Sequence, residues 1–161
     1  MIRKFLGPSA VALAFCGAPQ AADTGGSYAA SLANVYGGYI RIAALKEACD
    51  AAAPATRAAN GKAYAGWEAQ HRSLLQELQR RVESMIRASS RDEDDYVRNI
   101  GQYEGEILLR RKEYREAVLA LGKEEMTGQC ERLPESLKGP GTDLKRVYAA
   151  DLKVIRARKL P

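Results

Sequence analysis

The chain contains one histidine, His71, three residues after Glu68. On a helix this Glu-x-x-His step sets a carboxylate and an imidazole on one face, the unit that carboxylate-bridged di-iron bundles use in duplicate with further glutamates. With one imidazole in the whole sequence, the second half of such a centre is missing, so His71 reads as a packed core side chain and no metal is expected. His71 with Met85 or Met126 has the ligand types of an axial haem pair, but no Cys-x-x-Cys-His is present to attach one, and no cofactor is expected. Nucleophilic catalysis needs a nucleophile, a base and an orienting group, and a sole imidazole on an apolar stripe offers poor material for it. Neighbouring acids such as Glu104 and Glu106, or the run from Asp92 to Asp95, fit a solvated helix face or a helix N-terminus better than a hydrolytic pair. No catalytic residue is assigned, and the expectation is a protein that is not an enzyme.

The cysteines point elsewhere. Arg3 and Lys4 precede an apolar stretch from Phe5 to Ala18, and small residues follow at Ala21 and Ala22. That order of charge, apolar run and small residues is the form of a secretory signal, too short to span a bilayer. Residues 1–22 are therefore expected to be a cleaved signal peptide, and the protein periplasmic or secreted. A lipoprotein anchored at Cys16 is the alternative, but Phe15 stands where a lipobox needs a small residue. Cleavage leaves Cys49 and Cys130, and an oxidising compartment favours a disulfide between them. The mature net charge becomes +3, from 23 basic and 20 acidic side chains.

The elements that must position these residues are helices. Leu32, Val35, Tyr36, Tyr39, Ile42, Ala43 and Cys49 recur at three-four spacing, predicting a first helix that ends near Pro54, with weak points at Gly37 and Gly38. A second helix starts at Pro54 or restarts after Asn60-Gly61, and ends near Ala88. Its stripe of Tyr64, Trp67, His71, Leu74, Leu75, Leu78, Val82, Met85 and Ile86 is the strongest periodic signal in the chain. Ser90-x-x-Glu93 has the form of a capping box, so a third helix is expected from about Arg91 to Met126, ended by Gly128. Pro134 and Gly139-Pro140-Gly141 mark a loop, and Thr142 or Asp143 caps a final helix with Leu144, Val147, Tyr148, Leu152 and Ile155. The short Ser-Ser link makes the second and third helices antiparallel. The fold class is thus an all-α up-and-down helical bundle built on a long antiparallel helical hairpin, with one disulfide. Residues 23–161 form a single domain.

The segment from Lys138 carries seven basic side chains against two acidic ones. Lys153, Arg156, Arg158 and Lys159 are its candidate contacts to anionic lipid or lipopolysaccharide, although cations at a helix C-terminus also complement the helix dipole. Nucleic acid is disfavoured by the compartment. Eight tyrosines fall on or beside the apolar faces, where most should be core with a wet hydroxyl; Tyr and Arg together are the residues that anchor protein interfaces. Small periplasmic helical chaperones share this size and hairpin character, but their Leu-Thr-x-x-Gln signatures are absent. The expected function is an exported periplasmic binding protein of inhibitor, immunity or accessory type, acting through a helical face on another envelope or secreted protein. An envelope chaperone or anionic-membrane-surface protein is the alternative, and a metal or haem carrier a minor one.

The covalent expectation is direct to check. Intact mass of the exported protein should show the loss of about 22 residues and of two further hydrogens; two free thiols would contradict the disulfide.

Overall fold

The computed structural model describes residues 28–159, which leaves the signal segment and Cys16 outside the described residues. Among these residues there are helices and no strands. The order is α1 Tyr28–Ala52, a 3₁₀ turn Pro54–Thr56, α2 Arg57–Ser89, α3 Glu93–Leu119, α4 Lys123–Ser136, α5 Leu144–Val147 and α6 Ala149–Ala157. The all-α bundle read from the periodicity is the observed architecture. None of these helices is long and apolar enough to cross a membrane.

Helix α1 is the axis of the bundle and touches every other helix. It buries Leu32, Val35, Ile40, Ala43, Ala44, Ala48 and Cys49, which do not share one face. A helix that is apolar most of the way round is surrounded on most sides, and the small Ala43, Ala44 and Ala48 let its neighbours approach. The helix runs unbroken through Gly37 and Gly38. Gly38 has a reason to lack a side chain, since a Cβ there would come within 2.5 Å of the Tyr148 ring. Gly37 faces open space.

Helix α2 delivers the predicted seam. Trp67, His71, Leu74, Leu78, Val82 and Ile86 are all buried. It is continuous through Asn60-Gly61, because Asn60 is itself buried and its amide donates to Thr56 Oγ1 at 2.9 Å, tying the first helical turn to the 3₁₀ turn before it. Ser90 does not cap the third helix as its capping-box pattern predicts. Its hydroxyl donates backwards to the Ile86 carbonyl at 2.7 Å, closing α2, and the N-cap of α3 is Asp92, whose carboxylate accepts from the Asp95 N–H at 2.8 Å.

The expected third helix to Met126 is two helices. It stops at Leu119, and α4 begins after Gly122 with Glu124 and Glu125 favourably placed in its first turn. Gly128 and Pro134, read as terminators, lie inside α4. Pro134 costs little because it occupies the last turn, where only one ladder bond, to the Cys130 carbonyl, is lost. Helix α3 meets α2 near their connection and then lies chiefly along α1, so the hairpin partner is shared. The final helix is also divided, at Tyr148, into α5 and α6, with Asp143 as the cap: its carboxylate accepts from the Lys145 N–H at 3.0 Å.

Cys49 and Cys130 form the disulfide, both sulfurs fully buried between α1 and α4, across 81 residues of sequence.

The two adjacent glycines of α1 should respond with opposite sign. Gly37→Ala is expected to stabilise by about 0.5–1 kcal/mol through helix propensity alone. Gly38→Ala is expected to destabilise by about 1–2 kcal/mol, because the new methyl must displace the Tyr148 ring, whose hydroxyl accepts from Arg41 at 2.6 Å. Urea unfolding at pH 7 separates them.

Candidate functional site

Polar chemistry in the interior is concentrated at His71, where the sequence places the only imidazole. His71 is fully buried on α2. Its Nδ1 lies 2.8 Å from the Trp67 carbonyl and donates to it, which leaves Nε2 to accept the Leu144 N–H at 3.2 Å. Asp143 Oδ1 sits 3.3 Å from the same Nε2. Burial works against the Asp143 carboxylate, while the Lys145 and Arg146 N–H groups act the other way, and its pKa lies below the ordinary value. The Trp67 indole N–H, beside the imidazole, donates to the Thr142 carbonyl at 2.9 Å. One turn of α2 therefore clamps the loop that starts α5. Glu68 turns away and receives the Tyr39 and Tyr64 hydroxyls at 3.2 and 3.3 Å. The two members of the Glu-x-x-His step serve different partners, and both ring nitrogens of His71 are engaged. Met126 is buried, and Met85 half-buried against the core. Among the described residues no group of three or more His, Cys, Asp or Glu is arranged to hold a metal.

The basic tail is partly spent on the fold. Arg156 forks onto Glu77 of α2, with Nη2 2.8 Å from Oε2. Buried Arg81 donates to the same Glu77 at 3.1 Å and to the Arg158 carbonyl at 2.9 Å, and the Arg158 guanidinium lies over the Tyr28 ring, 4.9 Å from its centre. Hydrogen bonding from Arg156 first, with Arg81 adding to it and burial opposing, holds Glu77 below the usual carboxylate range. Lys153 and Lys159 are exposed. The four cations are thus divided among the seam of α6 with α2 (Arg156), the start of α1 (Arg158) and open solvent (Lys153 and Lys159).

The tyrosines make a run of ring contacts across three helices. Tyr103 of α3 meets Tyr36 of α1 with ring centres 6.3 Å apart, Tyr36 meets Tyr39 at 5.8 Å, and Tyr39 stacks on Trp67 of α2 at 6.2 Å. None of the eight is fully buried, as expected for rings with a wet end.

The surface anomaly is α3. Of its 27 residues only Asp95 is buried. Its inner stripe of Tyr96, Ile100, Tyr103, Ile107, Tyr114 and Val118 is half-buried, and the exposed large hydrophobic side chains of the described chain all lie on this helix: Val97 at 59%, Leu108 at 65%, Leu109 at 55% and Leu119 at 39%. The reason is geometric. Ile107, Leu108 and Leu109 are consecutive, and at about 100° per residue three in a row cannot all face one neighbour. Ile107 takes the inner side and the two leucines are left outside. Beside Leu108, an open cleft of about 350 Å³ is lined by Glu47, Arg111, Lys112 and Arg115, with Arg111 ion-paired to Glu47. This outer stripe is absent from the sequence-based site residues, because the tyrosine stripe on the opposite side dominates the helical pattern. Its signal was the run of three apolar residues.

Searches find no family model that matches the chain, nor any curated protein or solved structure similar to it.

The Glu77 node gives a stability test with a defined pH dependence. A carboxyl held below its ordinary pKa contributes stability in full above that ordinary value, near 4.5, and loses it as the pH falls through the lowered one. Glu77→Gln is expected to cost about 2 kcal/mol at pH 7, more than Arg156→Gln, since it strips buried Arg81 as well. Urea unfolding at pH 7 and again near pH 3 should show this difference shrinking in acid.

Proposed function

We propose that the mature chain is an exported, non-enzymatic binding protein of inhibitor, immunity or accessory type, which meets another envelope or secreted protein through the outward face of α3. The observation that supports this reading is the gathering of Val97, Leu108, Leu109 and Leu119 on one helix, while large apolar side chains elsewhere in the described chain are at least half-buried. Soluble proteins cover such side chains or use them, and exposed apolar side chains interspersed with charge are the form of a contact surface. Arg111, Lys112 and Arg115 lie beside Leu108, and Arg is enriched at the energetic centres of interfaces. The buried disulfide and the clamp at His71 suit a scaffold that presents this face rigidly, which lowers the entropy lost on binding.

The alternative as a protein of anionic membrane surfaces draws less support, because Arg156 and Arg158 are held against α2 and Tyr28. The expected export to the periplasm rests on residues 1–22 and belongs to the same proposal.

The test is capture from an envelope extract by immobilised mature protein, with partners read by mass spectrometry. One stoichiometric partner is expected, held at least tenfold more weakly by Leu108→Glu, since a buried unpaired carboxylate at the centre of a contact is costly. A partner retained equally by Leu108→Glu and Leu109→Glu would place the contact elsewhere.

A further inference from the structure

Resting on the reading of α3 as a contact face, we propose that, where the envelope partner is absent, two copies of this chain pair through that face in competition with the partner, antiparallel, about a two-fold axis beside Glu104 and Gly105. Asp94, Val97, Gly101, Leu108, Arg115 and Leu119 fall within a sector of about 60° on the outer side of α3. Inverting one copy of the helix on another sets Asp94 against Arg115 of the second copy, Val97 against the aliphatic stem of Lys112, and Leu108 against Gly101. Each of these contacts occurs twice, as an isologous interface requires.

Three features fit this occupant. Charge is segregated along the helix: residues 92–106 carry six acidic side chains and one basic, while residues 107–119 carry four basic and two acidic. An antiparallel copy therefore meets its opposite at both ends. Asp94 and Arg115 are also the charged members of the sector with no ion-pair partner among the described residues, Asp94 exposed and Arg115 half-buried. Finally, nothing packs beside Gly101 and Gly105, where an added Cβ would meet open space, so the helix backbone is free there for close approach by Leu108 of the second copy. A single helix pair buries less than a standard interface, so the dimer is weak and concentration-dependent.

Sedimentation velocity of the mature protein over a concentration series into the high micromolar range tests this. The parent should pass from monomer to dimer, and Leu108→Glu should remain monomeric throughout. Asp94→Arg and Arg115→Asp should each weaken pairing about tenfold, and the double reversal should restore it, because the opposed charges are exchanged and kept. Glu104→Gln should tighten pairing, since two copies of Glu104 flank the axis. Melting curves control for folding; Asp94 and Leu108 are exposed, so they carry the test if Arg115→Asp melts early. A parent that stays monomeric, or a dimer indifferent to Leu108→Glu and the charge reversals, overturns the proposal. The contact-face reading is judged separately, since it falls only when Leu108→Glu also leaves capture of the envelope partner unchanged.

Discussion

The covalent bond between Cys49 and Cys130 is the constraint on which the rest of the packing depends. It joins the central helix to α4, the short helix that would otherwise be held by Met126, Leu133 and its flanking Leu137 alone. Closing 81 residues of chain removes unfolded-state entropy worth roughly 4–5 kcal/mol on the loop-closure model, a large part of the stability of an ordinary small domain. Because both sulfurs are fully buried, the bond belongs to the core and not to the surface. With α4 fixed on α1, the loop that follows it is brought to α2, where Trp67 and His71 receive Thr142, Asp143 and Leu144.

That arrangement divides the molecule into a well-buried part and a poorly buried part. The seam of α2, the small side chains of α1, and Leu144, Leu152 and Ile155 form one continuous core. Helix α3 stands at its margin and is attached by long, amphipathic groups: Tyr103 on Tyr36, Arg41 over Tyr114, Glu47 with Arg111, and Arg87 over Tyr96. At its N-terminus Asp95 accepts from the Arg91 backbone N–H, then from the Arg91 and Arg98 side chains, which lower its pKa to about 2. These contacts fix the position of α3 without surrounding it. A helix held along one edge keeps its other side free, and that is the side the proposed contacts use.

Polar groups inside the fold act as positioning devices. Glu77 gathers Arg81 and Arg156, and through Arg81 the end of α6 is capped at the Arg158 carbonyl. His71 does the same for the start of α5. In both cases a side chain of α2 supplies what a short C-terminal helix lacks for its own unpaired backbone groups. Arg156 and Arg158 of the tail therefore have structural partners that a charge count does not reveal.

The sequence by itself determined the helical class and the buried seam of α2, because period-3.6 apolar spacing carries that information locally; the partnership of Cys49 with Cys130 was read by setting Cys16 aside with the expected signal segment, and the structure shows that disulfide. The sequence also marked the connection after Ala88, although it assigned Ser90 to the wrong helix: a Ser-x-x-Glu pattern does not say whether the hydroxyl turns forward or back, and the neighbouring Asp92 was the better acceptor. The break at Gly122 was hidden by continuing apolar and charged spacing on both sides of it. Only the tertiary structure decided that α1 is central, that Arg156 belongs to Glu77, and that Leu108 and Leu109 face outward. Each of these depends on which elements come together across 60 or more residues, and a helix's own periodicity shows that it has an apolar face without showing how many neighbours will arrive to cover it.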